Sequence, residues 1–169
     1  MWNEQIIMML LEGIKDTLYM TLTSTLIGYV IGLPMGILLT VTDKDGIHPN
    51  TAVYKVLDVI ANLIRSVPFL ILLIVLIPFT RFLIGRSYGP TATIVPLVIA
   101  AAPYIARMVE SSLKEVDAGV IEAARSMGAS NFTIVTKVML VEARTSLIVG
   151  ATTVSYTHLR AHETLANLV

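Results

Sequence analysis

The sequence predicts an all-α, polytopic transmembrane helical bundle. Of its 169 residues, 55% are hydrophobic and only 14% are charged, against about a quarter charged in soluble domains. Mean hydropathy is +0.78. Uncharged apolar runs approach ~20 residues, the length that crosses ~30 Å of hydrocarbon. The formal net charge is zero, so no nucleic-acid partner is expected. There is no cysteine, which excludes disulfides and thiolate metal sites.

The N-terminus, "MWNEQIIMMLLEGIKDTLYM", has neither a basic n-region nor a small-residue cleavage site. With Glu4, Glu12, Lys15 and Asp16 it reads as an interfacial amphipathic helix leading into the first span. That span is Thr17 to Val41 and carries no charge. Thr21, Thr25, Gly28, Gly32 and Gly36 recur at helical spacing and form one small-residue face. In lipid such a face permits close helix packing.

A second span is expected within Val56 to Phe79, kinked by Pro68 and ended by Pro78. A third runs from about Pro90 to Met108, with Pro96 and Pro103 inside it. A fourth begins at Thr145 with "TSLIVGATTV" and stops after about ten residues, too short to span. Basic residues set orientation. Lys44, Lys55, Arg107, Lys114, Arg125, Lys137 and Arg144 fall in the first and third loops, while Lys15, Arg81 and Arg86 fall in the N-terminus and second loop. The expectation is an N-terminus outside and a cytoplasmic third loop.

That loop contains the least hydrocarbon-like stretch of the chain, "VIEAARSMGASNFTIVTKVMLVEA". Val116, Val120, Ala124 and Met127 fall at helical spacing. Gly128 breaks the pattern, and Ser130 is placed to N-cap a second helix containing Ile134, Val135, Val138 and Val141. Two short helices meeting at a glycine form a knob. Ala123 and Ala124 would allow close approach of a partner, with Glu122 and Arg125 supplying charge at its rim.

"EAARSMGASNFTIVTKVML" resembles the cytoplasmic coupling loop of permease subunits in ATP-binding-cassette importers, with its Glu-Ala-Ala, three residues, then Gly. Glu122, Ala123, Ala124 and Gly128 match. Val141 follows Leu140 where that family usually has proline. Further stretches, "IGLPMGILLTVT", "IRSVPFLILL", "IPFTRFLIG" and "IVPLVIAAAPYIARMVESSLKEV", resemble methionine-importer permeases, and the likeness covers roughly residues 10–153. The resemblance implies a type I importer permease fold of five spans in an inner-membrane homodimer. It implies an ATPase subunit gripping Glu122, Ala123, Ala124, Arg125 and Gly128, and a substrate-binding lipoprotein outside. No catalytic residue or cofactor is implied, because the Gly-x-x-x-x-Gly-Lys-Ser/Thr phosphate cradle is absent. The energy must come from the partner.

Residues 1–153 are therefore expected to be a permease domain whose fourth span is cut short and whose fifth is missing. Residues 154–169 resemble translated adapter sequence and are not expected to be native. His158 and His162 lie at i, i+4 beside Glu163, a spacing that suits a metal on a helix. No third ligand follows, so no metal is expected. Arg65 is expected to snorkel or to pair with a carboxylate such as Asp58, with gating as the alternative. Tyr104 either packs or lines a pathway. Two rivals remain within transport, another amino acid or a small osmolyte as substrate. An intramembrane enzyme would need paired Asp, Ser/His or His-Glu-x-x-His within the spans, which the sequence lacks there. A protein that merely docks a cytosolic partner is the last rival.

Overall fold

A computed structural model describes residues 4–153. Among these residues the chain forms α1 (Glu4–Thr42), α2 (Thr51–Ser66), α3 (Phe69–Val75), α4 (Ile77–Ile84) and α5 (Pro90–Lys114). There follow α6 (Ala118–Ser126), α7 (Asn131–Thr133), a π-helical segment (Ile134–Met139), α8 (Leu140–Glu142) and helical residues 144–153. No strand occurs among the described residues. The histidine pair expected to be a weak metal candidate lies outside them, as does the tail from 154.

Helices α1 and α5 are each long and apolar enough to cross a membrane. Helix α1 is one continuous element of 39 residues. The N-terminal helix expected to lead into the first span runs into it without a break between Glu4 and Thr17. The small-residue face packs as predicted: Gly28, Gly32 and Gly36 are buried on α1, and all three lie against α5. A Cβ at Gly32 would stand 2.7 Å from the Ala102 carbonyl oxygen, and one at Gly36 2.5 Å from that of Ala106. Only glycine admits that approach.

The second span is broken rather than merely kinked. Helices α2 and α3 meet at 104° and together have the apolar length of one span. Val67 adopts extended angles (φ −85°, ψ 126°), as the residue before a proline must. Pro78 does not end the segment; it occupies the first turn of α4, where its missing N–H leaves no bond unmade. Gly85, at φ 81°, closes α4.

Helix α5 carries the core. Ala101, Ile105, Val109 and Leu113 recur every fourth residue and are 3%, 0%, 0% and 1% exposed. Ala124, Ile134, Val135, Met139 and Ala143 complete the same cluster. The buried stripe of α5 thus continues without interruption into the segment after it.

Candidate partner-docking site

The segment after α5 is built from local backbone chemistry. Asp117 caps α6 by accepting from the Gly119 N–H at 2.7 Å. At the other end, Gly128 N–H donates to the Arg125 carbonyl (2.9 Å) and Ala129 N–H to that of Ala124 (3.1 Å). These two bonds form a Schellman motif, which requires a left-handed residue just past the helix. Gly128 supplies it at φ 81°. Ser130 then caps α7, its hydroxyl accepting from the Thr133 N–H at 3.3 Å. The predicted break and cap are both present.

Within the knob the two alanines separate. Ala123 is exposed, whereas Ala124 is 4% exposed and sits in the core cluster. Of the two alanines expected to offer a surface to a partner, Ala123 is thus the accessible one, while Ala124 packs within its own chain. Glu122 is exposed. Arg125 reaches back from α6, its Nη2 donating to the Ile47 carbonyl oxygen at 2.9 Å. Between α6, the end of α5 and the α1–α2 loop lies a cavity of about 560 Å³, lined among others by Asp43, Lys44, Ile47, Lys114, Glu122 and Arg125.

Sequence reasoning missed two exposed apolar side chains flanking the turn, Met127 at 82% and Phe132 at 78%. Met127 falls at helical spacing with the buried Ala124, yet it sits at the C-cap beside the Schellman turn and points out. Phe132 carried a usable signal, an aromatic in the first turn of a helix otherwise opened by Ser130 and Asn131.

An ion network also escaped the sequence. Arg107 pairs with Asp58 through Nη2 and with Glu110 through Nη1, the latter at 2.7 Å. The same Nη2 donates to the Asn62 side-chain oxygen at 3.2 Å. Lys114 joins Glu110 (2.7 Å) to Asp43 (2.6 Å), and the Tyr54 hydroxyl donates to Glu110 at 3.3 Å. The hydrogen bond from Lys114 holds the Asp43 carboxyl below its usual range. Asp58 therefore pairs with Arg107 and not with Arg65, which is exposed at the end of α2; Arg107 offers two forked donors on a packed helix. Tyr104 is 37% exposed on α5. The structure does not bring Arg65 or Tyr104 to the knob.

A helical bundle with two apolar spans, whose core runs on into an exposed knob turned at a glycine, is an integral membrane component. The chain belongs to the family of binding-protein-dependent transport system inner membrane components, which it matches over residues 7–157. It is 49% identical over 150 residues to the D-methionine transport system permease protein MetI of Salmonella typhimurium, covering 89% of this chain and 69% of that protein. Identity to the Escherichia coli K12 protein of the same name is also 49%, with the same coverage. A chain of the MetNI methionine ABC transporter in inward-facing form superposes with a TM-score of 0.91 at 47% identity, covering 94% of this chain and 73% of that one. An amino acid ABC transporter crystallised with histidines shares the fold at a TM-score of 0.63 and 22% identity. The fold is that of a type I importer permease, and the chain is a transport component rather than an enzyme.

Proposed function

We propose that this chain is the permease subunit of an ATP-driven importer for methionine. It would work as a homodimer in lipid, supplied by a binding lipoprotein on one side and driven by an ATPase subunit on the other. In this reading residues 1–153 are the permease domain and 154–169 stand outside it. The ATPase grips the knob within 117–140, at Glu122, Ala123 and the Gly128 turn, with Met127 and Phe132 as apolar anchors. One observation carries the coupling role: the buried stripe of α5 is continuous with Ile134, Val135 and Met139. A push on the knob therefore moves the membrane core as one packed body. The substrate assignment rests on the 49% identity to D-methionine permeases.

The orientation follows the basic-residue bias, with the N-terminus outside and the knob cytosolic. Cysteines at Lys137 and Arg86 test it with an impermeant thiol reagent on intact cells. Labelling is expected at 86 and not at 137; the reverse overturns the orientation. Transport is tested with the full-length permease, ATPase and binding protein in proteoliposomes. Methionine uptake should be competed by methionine isomers and not by histidine or betaine. Competition by the latter alone would refute the substrate assignment.

A further inference from the structure

The α1–α2 loop, residues 43–50, is tied to the end of α1 by its own backbone. His48 N–H donates to the Val41 carbonyl and Asn50 N–H to that of Thr42, both at 3.0 Å. Gly46 N–H bonds the Asp43 carbonyl at 3.0 Å, closing a turn that lies directly against the last carbonyls of α1. At its far end Asn50 caps α2, its side chain accepting from the Val53 N–H. The loop therefore joins the ends of α1 and α2 into one small rigid corner. Two cations hold that corner from outside. Lys114, at the end of α5, pairs with Asp43 at 2.6 Å. Arg125, on α6, donates to the Ile47 carbonyl at 2.9 Å.

We infer that Arg125 is a positioning residue, a strap through which α6 drags the α1–α2 corner when the knob moves. The inference rests on the docking reading above. Covalent continuity carries the motion of α6 only to α5 and to the segment behind it. No covalent path leads from α6 to the start of α2 except back through α5, α4 and α3. The Arg125–Ile47 bond supplies a direct path from α6 itself, beside the Lys114–Asp43 pair at the end of α5, and it spans 78 residues of sequence. It ends beside the helix that carries the 104° break. A main-chain carbonyl is the acceptor, so the strap follows the backbone of the corner whichever way its side chains turn. Arg125 is exposed, but its guanidinium is engaged by its own chain, so the ATPase-facing surface is left to Glu122, Ala123, Met127 and Phe132.

The test uses the full-length permease with its ATPase and binding protein in proteoliposomes, measuring ATPase co-purification, ATP hydrolysis and methionine uptake separately. Arg125→Met, similar in length but without a donor, should keep the ATPase bound. Uptake per ATP hydrolysed should fall about tenfold, the scale of one charge-assisted hydrogen bond. Arg125→Lys, which still offers a donor, should recover part of the ratio. Residues 1–169 contain no cysteine, so an Ile47→Cys/Arg125→Cys pair can be bridged by a bis-thiol reagent of arginine-like length. Bridging should restore the ratio, and the same reagent should do nothing for Arg125→Cys alone. A native ratio in Arg125→Met, or a bridged pair as uncoupled as the unbridged one, overturns the strap. Loss of the ATPase from Arg125→Met also overturns it, by showing that the guanidinium touches the partner. If Ala123→Leu retains full ATPase association, the docking reading itself fails, whatever Arg125 does.

Discussion

Replacing each α1 glycine by alanine probes whether α1 and α5 meet in the membrane as the structure has them. At Gly13 a new Cβ meets nothing within 4 Å. At Gly28 it would lie 3.1 Å from Ile105 Cδ1, the movable tip of a side chain, and 3.3 Å from Ala101 Cβ. At Gly32 and Gly36 the nearest atoms are backbone oxygens, at 2.7 and 2.5 Å, with Ile105 Cβ and Val109 Cβ at 2.8 and 2.6 Å behind them. A carbonyl in a helix cannot retreat alone, so the two helices must separate along their contact. The preference of a helix for alanine over glycine, about 0.5–1 kcal/mol, applies at all four positions and cancels in the comparison. Over-filling a close contact costs about 1–3 kcal/mol. Gly36→Ala and Gly32→Ala should therefore fall below Gly13→Ala by about 1–3 kcal/mol, with Gly28→Ala between them. Reversible unfolding in mixed micelles by graded denaturing detergent would give the ranking. Gly36→Ala as stable as Gly13→Ala would refute the α1–α5 packing.

Arg107→Met should cost about 1–3 kcal/mol, because it leaves Asp58 without its cation and Glu110, only 6% exposed, with Lys114 and Tyr54 alone; in the same unfolding assay, a double variant with Asp58→Asn should lose less than the sum of the singles. Asp43 is held below its usual 3.8 by Lys114, with a smaller contribution from Lys44 and opposition from its own partial burial. Its folded-state value is depressed, so its stabilising contribution is full above 3.8 and is lost as pH falls through the lower folded value. Thermal stability should therefore decline at acid pH less steeply in Asp43→Asn than in the native chain. Ala124→Leu should destabilise the knob by about 1–3 kcal/mol, seen as faster proteolysis there, whereas Ala123→Leu should leave its fold intact and weaken ATPase co-purification. Gly128→Val must place a β-branched residue at φ 81°, at a cost of about 1–2 kcal/mol or more, and should lower uptake while membrane insertion persists.

What could be read from the residues depended on the reach of each signal. The glycine face of α1 was legible because periodic small residues speak directly to helix packing. The turn at Gly128 was legible because a glycine followed by a capping serine has one common structural meaning. Pro68 announced a kink but not a 104° break, whose angle depends on what α2 and α3 pack against. The run "IVTKVM" has no composition that distinguishes a π turn from an α turn. Ala124 and Ala123 are adjacent and chemically identical; only the rotation of α6 on α5 decides which is covered. The Arg107 network failed for a different reason. Arg107, Glu110 and Lys114 could be seen to share a face of α5, but Asp58 and Tyr54 are 49 and 56 residues from their partners. A local rule paired Asp58 with Arg65 instead, and a local rule cannot see across the bundle.

The π-helical segment has a consequence for changes in chain length. Its backbone bonds reach five residues back, as from Leu140 N–H to the Val135 carbonyl, so it stores more chain per ångström of rise than an α-helix does. A one-residue deletion in α5 would turn everything beyond it by about 100° and misalign the knob. The same deletion within Ile134–Met139 can be absorbed by winding those turns tighter into α-helix. Residues 140–153 would then keep their facing relative to α6. The chain thus carries one residue of slack just behind the knob, and a single-residue deletion should be better survived there than within α5.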